Sequence, residues 1–250
     1  MIEPHVTQLL DDYESKTVGD IVAADYRASG IFQRFGIDFC CGGDTLLAEA
    51  CHEHGVDAEA LGEELQQLAQ VPDRGEQYDQ WALDFLADYI VNHHHAYTRK
   101  MTPLLRQFAE KVVEVHGKQH PETQTIADLF EKLSDELAIH TQKEELLLFP
   151  YIRRLLQAKM EGIRPDAPPF GSTRELIRTM DEEHDQTGDL LARIEVLSNG
   201  YTPPEDGCNT YRALYANLKE FDADTKKHIH LENNILFPKT VRLETELRGR

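Results

Sequence analysis

HTQKEELLLFP at residues 140–150 and HIHLENNILFP at residues 228–238 share one skeleton: His, three residues, Glu, then Leu-Phe-Pro at the same offset. On a helix, residues four apart lie on one face with their Cβ atoms about 5–6 Å apart. Each copy therefore aims an imidazole and a carboxylate in the same direction, and the question is what lies on that side.

The flanking pattern answers it. Around the first copy, Ile126, Leu129, Leu133, Leu137, His140, Glu144 and Leu148 follow steps of three and four, with Phe130 beside them. Around the second, the stripe is Tyr211, Leu214, Leu218, Phe221, Thr225, His228, Glu232 and Ile235. Two more segments repeat the spacing. One carries Leu83, Leu86, Ile90, His94, Tyr97, Met101, Leu104 and Phe108; the other carries Ile177, Met180, His184, Thr187, Leu191 and Ile194. This is the core face of a helix, four times over. The breaks HGKQHPE, EGIRPDAPPFGS and SNGYTPPEDG separate the four. Long helices with short connections predict an all-α chain with an antiparallel four-helix bundle over residues 78–250.

Every stripe is interrupted by a His, and two of them by a Glu one turn later. His94, His140, Glu144, His184, His228 and Glu232 stand where Leu or Ile is expected. Each polar group buried without a partner costs about 1–3 kcal/mol, and a metal centre removes that cost. The spacing also reads as a duplicated hairpin: 46 residues separate His94 from His140, and 44 separate His184 from His228. Two such halves supply four imidazoles and two carboxylates, a set that suits iron, manganese or zinc. If both carboxylates bridge two ions, each ion takes two nitrogens and two oxygens from the protein. A bridging oxide or hydroxide adds a fifth ligand and leaves an octahedral ion one open site. That count favours iron over zinc, which prefers four ligands.

Residues 1–72 read as a separate small helical domain. Thr17 with Asp20 three residues on is a helix-start signal, the glycines of GIDFCCGGD interrupt the pattern, and TLLAEACHEHG and DAEALGEELQQLA read as two further short helices. VPDRGEQ, residues 71–77, reads as a linker. Pro150 and Pro238 sit inside helical patterns, remove a donor each, and are expected to kink their helices just beyond the site.

Charge and composition exclude several classes. Asp and Glu total 45 against 26 Lys and Arg, a net −19 that disfavours nucleic acid and anionic lipid. No apolar run reaches the ~18 residues of a spanning helix, and the first residues lack a signal-peptide pattern, so a cytoplasmic, non-membrane protein is expected. Four cysteines are too few for a disulfide framework.

HTQKEELLLFP, DEEHDQTGDLL and HIHLENNILFP resemble the haemerythrin-like bundle. Together with IVNHHHAYTR and FGIDFCCGGDTLL they look like the iron–sulfur cluster repair di-iron proteins, over nearly the whole chain. The resemblance implies a non-haem di-iron centre on His94, His140, Glu144, His184, His228 and Glu232. It also implies cytoplasmic repair of clusters damaged by oxidative or nitrosative stress. Iron–sulfur proteins would be the clients, nitric oxide or oxygen the small ligands, and a homodimer the assembly. The triplet His93, His94, His95 departs from the family's paired histidines and leaves the register open by one residue. Two other readings stand beside repair: a nitric oxide reductase, and an oxygen carrier or sensor like haemerythrin, whose fifth histidine has no counterpart on the stripes.

The remaining candidates divide by chemistry. Cys40 and Cys41, flanked by Gly42 and Gly43, are expected on an exposed turn, with a buried structural role as the alternative for one of the two; the functional reading is a reactive thiol pair that docks a damaged cluster, relays a nitrosyl group or links subunits. Cys51 and Cys208 read as structural. His5 and His230 read as surface residues, His93 and His95 as flanking the site, and His116 as a helix C-terminal cap. Tyr97 reads as core with a hydroxyl available to a small ligand. One of Asp181, Glu182, Glu183 and Asp185 is expected to orient an imidazole.

Overall fold

The computed structural model describes residues 15–70 and 76–249. The signal-peptide reading, His5 and most of the 71–77 linker lie outside these residues. The described residues are helical apart from loops and one isolated bridge between Thr17 and Leu46. By its contacts the chain divides into two compact units: Met1–Leu86 with Ile229–Thr240, and Ala87–His228 with Val241–Arg250.

The first unit is built on short helices α1 (Val18–Ala24), α2 (Ala28–Arg34), α3 (Leu47–His54) and α4 (Ala58–Gln70). The Thr17 hydroxyl accepts from the Asp20 N–H at 3.1 Å, and Asp20 accepts back from the Thr17 N–H, closing the capping box. The core holds Val18, Val22, Phe32, Leu47 and Leu61, with Ile229 packed among them. Gly43 of the Cys-Cys segment and Gly19 of α1 have a steric reason. A Cβ on Gly43 would meet the Asn234 amide at 2.4 Å, and one on Gly19 would meet it at 2.2 Å. The Asn234 and Asn233 amides donate to the Phe39 and Cys40 carbonyls at 3.2 and 3.3 Å.

The bundle follows. Its first helix runs through α5 (Leu83–Tyr89), a π turn (Ile90–His95) and α6 (Ala96–His116). The second is α7 (Glu122–Lys143), a π turn (Glu144–Leu148) and α8 (Phe149–Glu161). The third is α9 (Thr173–Leu197). The fourth is α10 (Asn209–Leu231), a π turn (Glu232–Leu236) and α11 (Phe237–Arg248). α7 packs against both α6 and α9, and residues from all four helices form one core, among them Leu105, Leu133, Leu191 and Leu218.

The two prolines act through those π turns. Pro150 and Pro238 offer no N–H to the turn before them. The chain instead takes in one extra residue, so that the Phe149 and Phe237 N–H groups reach the Glu144 and Glu232 carbonyls, five residues back. Each expected kink is a widened turn that begins at the Glu of the motif, and π turns of this kind are frequent at functional sites.

The π turn in the first helix changes a register. Here the Ala96 N–H bonds the Val91 carbonyl, and one inserted residue rotates everything after it by about 100°. The second, third and fourth stripes are buried as read. The first is buried as read at Leu83, Leu86, Ile90, His94 and Met101, but not at its other three positions. After the π turn Thr98, Leu105 and Ala109 are buried, while Tyr97 and Phe108 are half-buried against the core and Leu104 is exposed. Leu105 is 0% exposed and Leu104 is 36% exposed. Leu105→Ala should therefore lower the unfolding free energy by about 2–5 kcal/mol, while Leu104→Ala stays within about 0.5 kcal/mol; denaturant titration of the two variants checks the shift.

Candidate metal centre

Two groups of four buried side chains form in the bundle. One is His95, Glu144, His228 and Glu232; the other is His140, Glu144, His184 and Glu232, with ligand atoms in each within 4.8 Å of one another. Both carboxylates belong to both groups. Five of the six residues read from the stripes are thus brought together. His94 is outside both groups and His95 stands in its place: both rings are buried, but within the π turn it is His95 that meets the carboxylates, while His94 turns its Nδ1 to Asp224.

The distances are those of a donor set. His140 Nε2 and His184 Nε2 lie 2.9 Å apart, and His95 Nε2 and His228 Nε2 lie 3.2 Å apart. Two nitrogens this close match one ion about 2.1 Å from each, at roughly a right angle. His95 Nε2 is 3.2 Å from Glu144 Oε2, and His140 Nε2 is 3.5 Å from Glu144 Oε1. Glu144 is 0% exposed, and neither of its oxygens has a hydrogen-bond partner. A carboxylate so placed in an apolar bundle is costly, and cations on its two sides would remove the cost. The residues therefore fit a metal pair on their own chemistry.

The outer ring nitrogens are held by carboxylates. His95 Nδ1 is 2.7 Å from Glu145 Oε1, which also accepts from Arg99 at 2.6 Å. His140 Nδ1 is 2.8 Å from Glu183 Oε2, and Lys143 donates to the other Glu183 oxygen. An Nδ1–H bound to carboxylate fixes the tautomer that leaves the Nε2 lone pair facing inward. Of the four acidic residues around His184, Glu183 orients an imidazole, and the ring is that of His140 across the helix pair. Burial alone would raise Glu145, but Arg99 and His95 outweigh it and hold the carboxyl low. Glu183 is pulled down to about 2, first by the His140 hydrogen bond and then by Lys143, against burial.

A carboxyl depressed on folding adds stability above its unfolded pKa, and that stability is lost as pH falls through the folded value. The Glu183 contribution is therefore full above about 4.5 and fades towards about 2. Glu183→Gln should flatten the acid limb of the metal-free chain's stability in that window. It should also weaken metal binding about 10- to 100-fold. Acid melts and a competitive metal titration read the two effects separately.

The other candidates fall into place individually. His94 is buried, with Nδ1 3.0 Å from Asp224 Oδ1 and its ring stacked on His228 at 5.6 Å. Burial lowers its pKa, against the Asp224 hydrogen bond. His93 is exposed and stacks on Tyr89 at 5.0 Å. Tyr97 packs against Phe221, and burial pushes its hydroxyl up to about 12. His116 ends α6, where its carbonyl accepts from the Gln119 and His120 N–H groups. His230, expected at the surface, is 0% exposed and packs on Tyr26 and Phe39 in the first unit. The Cys40 and Cys41 sulfurs lie 3.8 Å apart as thiols, Cys40 buried and Cys41 half-buried, so one of the two takes the buried alternative rather than the exposed turn. The Cys41 contact and burial raise the Cys40 thiol, and Asp38 Oδ1 lies 3.1 Å from its sulfur. Cys51 is buried as expected of a structural residue, whereas Cys208 is exposed.

A helical bundle whose His and Glu converge on a buried centre is a metal-binding bundle of the haemerythrin class, and residues 86–240 match the family model described as hemerythrin HHE cation binding domain. Residues 14–69 match a second model, ScdA_N, described as a domain of unknown function. The chain is 36% identical over 233 residues to proteins named iron-sulfur cluster repair protein YtfE from Yersinia pestis (strain Pestoides F) and Yersinia pseudotuberculosis serotype O:1b (strain IP 31758). The match covers 93% of this chain and 100% of each relative. The chain belongs to this family of iron–sulfur cluster repair proteins. Among the described residues, no helix is long and apolar enough to cross a membrane.

Proposed function

We propose that this protein holds two iron ions on His95, His140, Glu144, His184, His228 and Glu232, and acts in the cytoplasm to restore iron–sulfur clusters damaged by oxidative or nitrosative stress. The observation that carries the reading is the sharing of Glu144 and Glu232 by two buried donor groups, each completed by a pair of imidazoles. The near-right-angle nitrogen pairs suit a six-coordinate ion better than a closed tetrahedral zinc site.

When bound, the iron pair supplies redox-active ions with positions open to a small ligand such as nitric oxide. The protein's own part is to bind, orient and release. Glu145 and Glu183 keep His95 and His140 in the tautomer that presents Nε2. The imidazoles would anchor each ion. The two carboxylates, as hard oxygen donors, are the more labile anchors, and a shift of either would loosen an ion for donation to a client cluster. The buried position of Glu144 and Glu232 keeps bulk water from competing for those oxygens.

The test is metal analysis of protein purified without added metal, joined to an assay of a client enzyme whose [4Fe–4S] cluster has been damaged by peroxide or nitric oxide. Two irons per chain and recovery of client activity with the iron-loaded but not the metal-free protein are expected. Zinc in both sites, or equal recovery with metal-free protein, overturns the proposal.

A further inference from the structure

Cys208 lies apart from the metal groups in sequence, and its surroundings are those of an activated thiol. Its carbonyl accepts the Arg212 N–H at 3.0 Å, the first hydrogen bond of α10. It is therefore the capping residue of a 23-residue helix, where a negative charge is favoured. His116, the last residue of α6, lies within electrostatic reach of its sulfur. The His116 side chain is only 7% exposed, and its Nε2 is buried without a hydrogen-bond partner of its own. The ring packs on Tyr211, three residues into α10, at 5.3 Å, which brings it to the Cys208 end of that helix. A second imidazole, His120, lies 6.2 Å from the first and is tied to Asp206 and Glu122 at 3.1 Å each. The Asp206 contact holds the loop after α6 to the loop before α10. The Tyr211 N–H, then His116, then the Thr210 N–H draw the thiol down to about 7, against a small opposing effect of burial.

We infer that Cys208 is a peroxide-reactive thiolate: a modification site, separate from the proposed iron centre, in which the capping position on α10 and the buried His116 imidazole stabilise the sulfur anion. The reactant class follows from the surroundings. Asp206, two residues from Cys208, and the chain's net charge of −19 disfavour an anionic disulfide such as that of glutathione but not neutral hydrogen peroxide. The sulfur anion attacks one peroxide oxygen, and an S–O bond forms as the O–O bond breaks. The sulfur loses two electrons, the peroxide gains them, and the departing hydroxide takes a proton from solvent to leave as water. Cys208 is the sole cysteine of its unit, since Cys40, Cys41 and Cys51 belong to the other. The resulting sulfenic acid therefore lacks a resolving thiol there and is returned to the thiol by a small external one.

The test uses the full-length protein as purified, in chelator-treated buffer. It is exposed to hydrogen peroxide, trapped with dimedone, and read peptide by peptide in a mass spectrometer from pH 5 to 9. The reference is a synthetic peptide of residues 204–212. A thiol near 7 carries far more anion at pH 7 than an ordinary one, offset in part by its lower nucleophilicity, so Cys208 should react about three- to sixfold faster than the peptide. Its rate should have a midpoint near pH 7. His116→Gln should remove the advantage and move the midpoint up while metal content is unchanged. Should that variant fold poorly, the native chain against the peptide still decides. Reaction at the peptide's rate, a midpoint unmoved in a folded His116→Gln, or faster capture of glutathione disulfide than of peroxide would each overturn the inference. None of these readouts depends on the metal pair or on repair activity.

Discussion

Glu144→Leu should strip the protein of metal and, in the same stroke, make the metal-free fold more stable. The two effects have one cause. Glu144 is 0% exposed, neither oxygen has a hydrogen-bond partner, and the residue belongs to both donor groups. In the loaded protein it would serve both ions, so its loss empties or cripples both sites. In the metal-free protein it is a carboxylate held among ring nitrogens on an otherwise apolar face. An unsatisfied buried polar group costs about 1–3 kcal/mol, and more when charged. Leucine fills a similar volume on a stripe that already carries Leu137 and Leu148. A gain of about 1–3 kcal/mol corresponds to roughly 2–12 °C in the melting temperature of a chain this size. Glu232→Leu should behave in the same direction. His93→Ala, at an exposed ring, should change neither quantity. Elemental analysis and thermal melts of metal-free protein measure both sides. A Glu144→Leu protein that keeps its full metal content, or whose metal-free form melts lower than the parent, would remove Glu144 from the role assigned to it.

How far the sequence reaches is visible in which positions it missed. Periodicity gives a helix face wherever the 3.6-residue repeat is unbroken, so the second, third and fourth stripes needed no revision. It gives no account of an inserted residue. Pro150 and Pro238 at least flag a disturbance, since a missing N–H must be accommodated nearby. The π turn at Ile90–His95 has no proline within it, and three consecutive histidines offer the stripe no contrast by which to detect a shift of one. The carboxylates behind His95 and His140 were hidden for another reason. Glu145 and Glu183 look like members of a solvated acidic face, and their roles depend on which ring lies across the helix pair. A clue was present in Arg99 and Lys143, the cations that hold these acids in place. His116 and Cys208 are 92 residues apart in the chain, and no local pattern joins a helix end to the start of another. His230 was misplaced because a lone polar residue on a helix gives no sign of an aromatic partner such as Tyr26 from a distant segment.

The register question also sets the second large effect. His95→Ala should cost the protein about one metal equivalent per chain, while His94→Ala leaves the stoichiometry intact. His95 Nε2 faces His228 Nε2 at 3.2 Å and Glu144 Oε2 at 3.2 Å, and Glu145 holds its other nitrogen. Removing it leaves His228 as the only imidazole of its group, while His140 and His184 keep the other group whole. The predicted product is a half-loaded protein that has lost its two-metal signature. His94 is equally buried, yet its Nδ1 is turned to Asp224 and its Nε2 has no partner. Its removal leaves a void beside His228 and an unanswered carboxylate, so the expected cost is in stability, about 1–3 kcal/mol. The duplicated-hairpin reading leans the same way: with His95 as the ligand the two halves separate their histidines by 45 and 44 residues, closer than the 46 and 44 obtained with His94. Metal stoichiometry of the two alanine variants, with denaturant melts of each, decides between the rings. Loss of an equivalent from His94→Ala with a fully loaded His95→Ala would restore the unshifted stripe and remove the π turn from the account.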